Sequence, residues 1–266
     1  MATLFQLQRD IVEAGRRMYA RGYVASNDGN ISARIDERRV LITPTGVSKG
    51  FMKPEELIIV DMNGKVLSGT KKPSSETFMH MQVYKDRPDV MCVCHAHPPY
   101  ATGFAVAGIP LDKCVLPEVI ITLGHVPLVE YGTPGTEELY KPVVKFVKDF
   151  DALLLANHGA ITFGKDVLSA YYKMETLEHF AQIAFISQQL GQMNILSSEQ
   201  VQKLTEQRSK YGIRTDVGCV SSEGETSCGN PGVKDFLNTD ALSATEKEEL
   251  IKEVTEVVLR KLKKHE

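Results

Sequence analysis

The chain of 266 residues has no tryptophan and only 7% aromatic residues, so its core must come mainly from aliphatic side chains. No charge of one sign dominates. With 31 basic and 34 acidic residues, the electrostatic footprint of a nucleic-acid binder is missing. Long apolar runs are missing too: none approaches the ~20 residues that span a bilayer. The N-terminal stretch MATLFQLQRDIVEAGRR is charged too early for the apolar region of a signal peptide. Cysteine is sparse. Five in a chain this long are too few for a disulfide framework, and Cys92 and Cys94, one residue apart in an apolar run, read as buried thiols. These absences imply a soluble, cytoplasmic protein in a reducing compartment, with neither nucleic acid nor membrane as partner. What is present, 42% apolar residues, is enough for one large domain or a domain with an appendage.

Leu4, Leu7, Ile11, Ala14 and Met18 recur at helical spacing, with Gly22 placed to end the helix. Short alternating segments follow at 30–35, 40–43 and 57–60, and Asn63-Gly64 marks a hairpin. Helices are expected from Ser74-Ser75-Glu76 to about Arg87, over 99–107, over 167–190 and over 197–211. Buried strands are expected over 89–97 and 152–156. Helices on strands, with hairpins and no regular βαβ repeat, predict an α/β sandwich with a largely antiparallel or mixed sheet flanked by helices. After Ile213 the composition shifts to Gly, Ser, Thr, Asp and Asn. The chain thus divides into a catalytic domain (1–213), a linker (214–240) and a terminal amphipathic helix (241–266).

Histidine carries the sharpest chemical signal. Alternation on a strand puts His95 and His97 on one face, and His158 ends the other apolar strand, directly before Gly159. Three protein ligands with one open position is how catalytic zinc is built, and an all-imidazole set favours zinc or a similar transition metal over magnesium. Alone, His-x-His fits ordinary strand-end histidines equally well. His80, His125, His179 and His265 have no such partners and read as ordinary. Ser74 and Ser75 open a helix whose free N–H groups suit an anion, and Gly29-Asn30 and Thr43-Pro44-Thr45-Gly46 are turns that serve the same purpose. Each segment singly is what any turn or cap uses. Glu76, directly after the serines, is more telling, because a carboxylate beside both an anion and a metal handles protons or binds the metal.

Taken in order, Gly29-Asn30-Ile31-Ser32, Leu41-Ile42-Thr43-Pro44-Thr45-Gly46, Lys72-Pro73-Ser74-Ser75-Glu76, His95-Ala96-His97 and Asn157-His158-Gly159 resemble the class II aldolase/adducin superfamily. Within it they are most similar to the L-fuculose-1-phosphate aldolases, over about residues 4–213. The resemblance implies a phosphate cradle of Asn30, Thr45, Gly46, Ser74 and Ser75. It implies one Zn²⁺ per subunit on His95, His97 and His158, and Glu76 as acid/base. It also implies a tail tyrosine, Tyr211, that closes over the site, and a homotetramer with sites between subunits. The implied reaction is retro-aldol cleavage of a sugar phosphate to dihydroxyacetone phosphate and an aldehyde. In one place the sequence departs from the pattern. Glu118 stands where the family aldolase has a tyrosine supplied by the adjacent subunit, and dehydratases acting on methylthioribulose phosphate carry a catalytic glutamate thereabouts. A dehydratase is therefore the main alternative. A 4-epimerase, with aspartate in place of Glu76, is less similar, and a non-enzymatic adducin-like scaffold fits least because the histidines and Glu76 are all present.

In the tail, Leu250, Ile251, Val254, Val257, Val258 and Leu262 fall within an arc of roughly 140° at helical periodicity. Ser243 and Glu246 form a capping box. Several β-branched valines make so short a helix marginal unless it docks. An amphipathic helix on a linker resembles the encapsulation peptides of bacterial microcompartments. That likeness implies a shell protein as partner and a place inside such a compartment.

Overall fold

The computed structural model describes residues 2–211 together with Ile213, Cys219 and Ser221. Helix α1 (Leu4–Ala20) buries Leu7, Ile11, Ala14 and Met18. Thr3 caps it by accepting from the Gln6 N–H, and Gly22, at φ +71°, supplies the left-handed residue just past its end. Four strands then form an antiparallel meander: β1 (Asn30–Arg34), β2 (Arg39–Ile42), β3 (Ile58–Asp61) and β4 (Val66–Ser68). Next come α2 (Thr77–Asp86), β5 (Cys92–Ala96), α3 (Pro99–Ala107), α4 (Pro117–Thr122), β6 (Leu128–Val129) and α5 (Glu137–Val147). The last elements are β7 (Ala152–Leu155), β8 (Gly159–Gly164), α6 (Val167–Gln189) and α7 (Ser198–Lys210).

All eight strands join one sheet in the order β4-β3-β2-β1-β5-β8-β7-β6, antiparallel except for the β6–β7 pair. The α/β sandwich expected from the sequence is what forms. Helices α1, α3 and α6 cover one face and α2 and α5 the other. Alternation along the central strands feeds both layers. On β5, Cys92, Cys94 and Ala96 pack toward the α1/α6 side while Val93 packs toward α2 and α5; on β8, Ala160 faces the first layer and Ile161 and Phe163 the second. This register sets Asn30 opposite His95, and His95 opposite Ile161. The C-terminal end of β5 therefore lies between the start of β1 and the start of β8, and the site is built there.

Several elements carry no clear signal in the sequence. Strand β8 is bounded by Gly159 and Gly164, which hide a strand behind turn residues. Helix α5 has Pro142 within it, α4 has six residues, and β6 has two, all too broken or short for periodicity. Cys92 and Cys94 are buried thiols as expected, but Cys114 and Cys219 form a disulfide across 105 residues of chain. There is thus one bridge without a framework. Cys219, within the expected linker, is buried with Cys114, Ile120 and Val201, and Ser221 pairs its hydroxyl with that of Ser198 at 2.8 Å. The chain separates into two units, 1–228 and 229–266. The rest of the expected linker and the expected terminal helix lie outside the described residues. No helix among the described residues is long and apolar enough to cross a membrane.

Candidate metal centre and anion cradle

His95, the fourth residue of β5, is fully buried, and His97 follows where the strand gives way to Pro98-Pro99. His158 sits in the tight β7–β8 turn, behind Asn157 in the left-handed region (φ +55°), a conformation asparagine tolerates better than most residues. The turn can press close to β5 because Gly159 has no side chain: a Cβ there would lie 2.5 Å from the Ala96 carbonyl oxygen and 2.6 Å from the His97 ring.

The ligand nitrogens of His95, His97 and His158 all lie within 4.8 Å of one another. His95 Nδ1 lies 2.9 Å from the Ala160 carbonyl, a bond that requires the proton on Nδ1 and leaves the Nε2 lone pair facing the cluster. His97 Nδ1 faces Asp28 Oδ2 at 3.5 Å, and its Nε2 lies 3.2 Å from His95 Nε2. Two lone pairs at that distance repel unless a proton or a cation lies between them. Burial and the neighbouring His95 and His158 push the His97 pKa down to about 4, so the ring is neutral at neutral pH, and the Asp28 carboxylate beside Nδ1 favours its one proton there. The donor set, with the His95 tautomer oriented by the Ala160 carbonyl, fits a divalent ion held by three imidazoles.

Glu76 caps the start of α2 but turns its carboxylate away from the helix. Its Oε2 is 3.1 Å from His95 Nε2 and accepts a 2.7 Å hydrogen bond from the Asn30 amide, and its Oε1 is 3.1 Å from His158 Nε2. Burial alone would raise its pKa, yet the two facing imidazoles outweigh burial and hold the carboxyl well below the usual range. The group is an anion in a nearly closed setting, 7% exposed, aimed at the place where a cation would sit.

Beside Glu76 the turns line up. Pro44 bridges Pro73, the Thr45 N–H donates to Lys72 O (3.0 Å), and the Ser74 N–H donates to Thr43 O (3.3 Å). Thr43 Oγ1 in turn accepts from the Ile31 N–H, next to Asn30. Thr45, Gly46 and Ser75 are exposed, Ser74 half-buried and Asn30 buried, with its Oδ1 unpartnered. Four small polar side chains and Gly46, from three segments, thus lie beside Glu76, a setting that suits an anion.

Glu118 and Tyr211 are placed elsewhere. Glu118 is exposed on α4 and Tyr211 is 70% exposed after α7. The two elements pack together, with Arg208 donating to Ile120 O at 2.8 Å. Tyr211 borders a cleft with Arg87, Asp151 and Gly164, at the end of β5 and β8 opposite the histidines. Among the described residues neither side chain touches the cluster within one chain.

Three supporting groups escape sequence inspection. His80, one turn beyond Glu76, is fully buried, shares a 2.7 Å hydrogen bond with Ser32, and through Ser32 reaches Tyr84. Burial first, then the nearby His95, push its pKa down to about 3, so it stands neutral one turn behind Glu76. Glu178 accepts from the Tyr100 and Ala101 N–H groups, pinning the start of α3 just after His97. Lys49 is the third. For His80 the i, i+4 spacing from Glu76 was a usable signal; for the other two none exists.

This fold and this centre have counterparts among known proteins. Residues 9–185 match the family model described as Class II Aldolase and Adducin N-terminal domain, and the chain belongs to that family. It is a class II aldolase-type enzyme, a carbon–carbon lyase. The L-fuculose phosphate aldolase of Methanococcus maripaludis is 37% identical over 181 residues, which are 68% of this chain and 97% of that protein. The 3-oxo-tetronate 4-phosphate decarboxylase of Haemophilus influenzae is 34% identical over 182 residues, 67% of this chain and 86% of that protein. A solved L-fuculose 1-phosphate aldolase superposes with a TM-score of 0.71 at 29% identity, covering 79% of this chain and 98% of its own.

Purified protein should carry about one zinc or similar divalent ion per chain, and His95→Ala should lose it while keeping its far-ultraviolet circular dichroism. Full activity in a rigorously metal-free sample would contradict the assignment of the three histidines.

Proposed function

We propose that the chain cleaves a ketose 1-phosphate, L-fuculose 1-phosphate or a close analogue, to dihydroxyacetone phosphate and an aldehyde such as L-lactaldehyde. The observation that supports this most is an ionised Glu76 facing two of three convergent imidazoles, next to polar turns suited to a phosphate. The C3–C4 bond breaks as the C4 hydroxyl gives up its proton. Its oxygen becomes the aldehyde carbonyl, and the bonding pair passes to the C2 carbonyl as an enediolate. A divalent ion held by His95, His97 and His158, with zinc the expected metal, supplies Lewis-acid stabilisation of that negative charge. Asn30, Thr45, Gly46, Ser74 and Ser75 hold the phosphate and so fix the orientation of the reacting carbons. Glu76 returns a proton to C3 in cleavage and removes it in the synthetic direction. Its bond from Asn30, a charge-assisted one worth about 1.5–3 kcal/mol, keeps the carboxylate aimed. The decarboxylase relative favours one other reading, because loss of CO2 beside a carbonyl leaves a similar enediolate for the same groups to stabilise.

Incubation with a panel of ketose 1-phosphates and a 3-oxo-tetronate 4-phosphate decides between them. Release of an aldehyde together with dihydroxyacetone phosphate from a ketose 1-phosphate supports the aldolase; release of CO2 from the 3-oxo-tetronate 4-phosphate, with no ketose 1-phosphate cleaved, overturns it. Glu76→Gln should lower kcat by roughly 10²-fold or more and slow exchange of the dihydroxyacetone phosphate C3 proton with solvent. Unchanged exchange would assign the base to another residue.

Glu118 and Tyr211 are proposed to reach the C4 hydroxyl of a neighbouring subunit's site in a homotetramer. Their shared α4–α7 unit supports this, since both would arrive from one partner. Mixed Glu118→Gln and His95→Ala subunits should then regain part of the activity that each lacks, whereas a fully active Glu118→Gln enzyme refutes the role. Residues 241–266 are proposed to bind a microcompartment shell protein. Deleting 239–266 should leave the kinetics intact and abolish co-sedimentation with shells; loss of the oligomer on deletion would make the segment structural.

A further inference from the structure

Lys49 is 1% exposed. Its ammonium donates to the Asn27 carbonyl at 2.8 Å and to the Val47 carbonyl at 2.8 Å. The first belongs to the turn that leads through Gly29 into Asn30, the second to the turn that carries Thr45 and Gly46. One side chain therefore ties two segments of the anion cradle together. Its backbone is clamped by α1: a Cβ on Gly15 would lie 2.9 Å from Lys49 O, and one on Gly50 would overlap the Tyr19 ring.

The charge itself is less easily explained. Among the described residues no carboxylate lies within 4 Å of the Lys49 ammonium. The nearest acidic influence is Asp28, whose carboxylate is turned to His97 at 3.5 Å. Two carbonyls occupy two of its three N–H donors, and a buried cation without a counter-ion is costly. Burial pushes its pKa down to about 8, so it remains charged at pH 7. A tie between two turns needs only N–H donors, and a neutral amide would serve. What a cation adds is attraction for an anion.

We propose that Lys49 is a positioning residue of the anion subsite, locking the turn before Asn30 to the turn of Thr45-Gly46 and supplying the buried positive charge that a bound phosphate neutralises. The proposal rests on reading these turns as a phosphate cradle and adds to it a charge that the cradle's small polar residues lack.

The test is calorimetric titration of the full-length, metal-loaded protein with inorganic phosphate. Lys49→Gln keeps two N–H donors and loses the charge; Lys49→Met loses both; Lys49→Arg keeps the charge. The glutamine variant should bind phosphate at least about tenfold more weakly than the wild type, as removal of one partly desolvated charge beside an anion predicts. It should retain its melting temperature and metal content. Its KM for a phosphorylated substrate should rise by a similar factor with kcat nearly unchanged, because a charge that holds the phosphate alike in ground and transition states acts on binding. The arginine variant should recover most of the loss. If Lys49→Met does not fold, the glutamine variant decides. Phosphate binding by Lys49→Gln equal to the wild type overturns the proposal and leaves the cradle standing. Failure of the wild type itself to bind phosphate overturns the cradle, and the proposal with it.

Discussion

A carboxylate with each oxygen 3.1 Å from an imidazole nitrogen, itself nearly closed off from water, imposes charge balance on everything around it. A buried anion is tolerated only when paired and hydrogen-bonded. Here one partner is the Asn30 amide and the others are His95 and His158. Burial works against a charged His95, but the facing Glu76 carboxylate raises its pKa, and its Nδ1 proton stays on the Ala160 carbonyl while Nε2 faces Glu76. Three imidazoles and one carboxylate in such a space form a net acceptor, and a divalent cation is the simplest group that satisfies it.

The fold is arranged to bring these groups to one place. Strands β1, β5 and β8 lie side by side in the sheet, so Asn30, His95 and the His158 turn share one end of it. Glu76 arrives from the start of α2, laid across the same end by the Pro44–Pro73 bridge. Gly159 and Gly29 allow the close approach: a Cβ on Gly29 would lie 2.8 Å from the His95 carbonyl oxygen. Packing on both faces of the sheet holds the ligands rigid, while Thr45, Gly46 and Ser75 stay open to solvent. The histidine cluster is thus walled in by the sheet and its helices, while the turns proposed to hold a phosphate stay accessible.

Much of this was legible in the sequence because it is local. Two-residue alternation put His95 and His97 on one face, and Asn63-Gly64 and Gly22 marked a turn and a helix end through backbone chemistry that few residues satisfy. Glu76 stood out by its place after the two serines, but its bond from Asn30 and the facing of its two oxygens to His95 and His158 were not legible until α2 is set against β5. Lys49 and Glu178 owe their roles to carbonyls and amides brought close only by folding. The Cys114–Cys219 pair likewise joins residues that no spacing rule connects. Strand β8 and α5 were hidden by glycines and a proline whose local tendencies tertiary packing overrides.

The account depends on a cation at the centre of the three imidazoles. Anomalous diffraction from crystals of the protein as purified, collected on both sides of the zinc edge, tests this directly. The account predicts one strong peak equidistant from the facing nitrogens of His95, His97 and His158, at roughly 2.0–2.1 Å from each. A well-ordered site without such a peak, with a water or nothing among the rings of a fully active preparation, would contradict it.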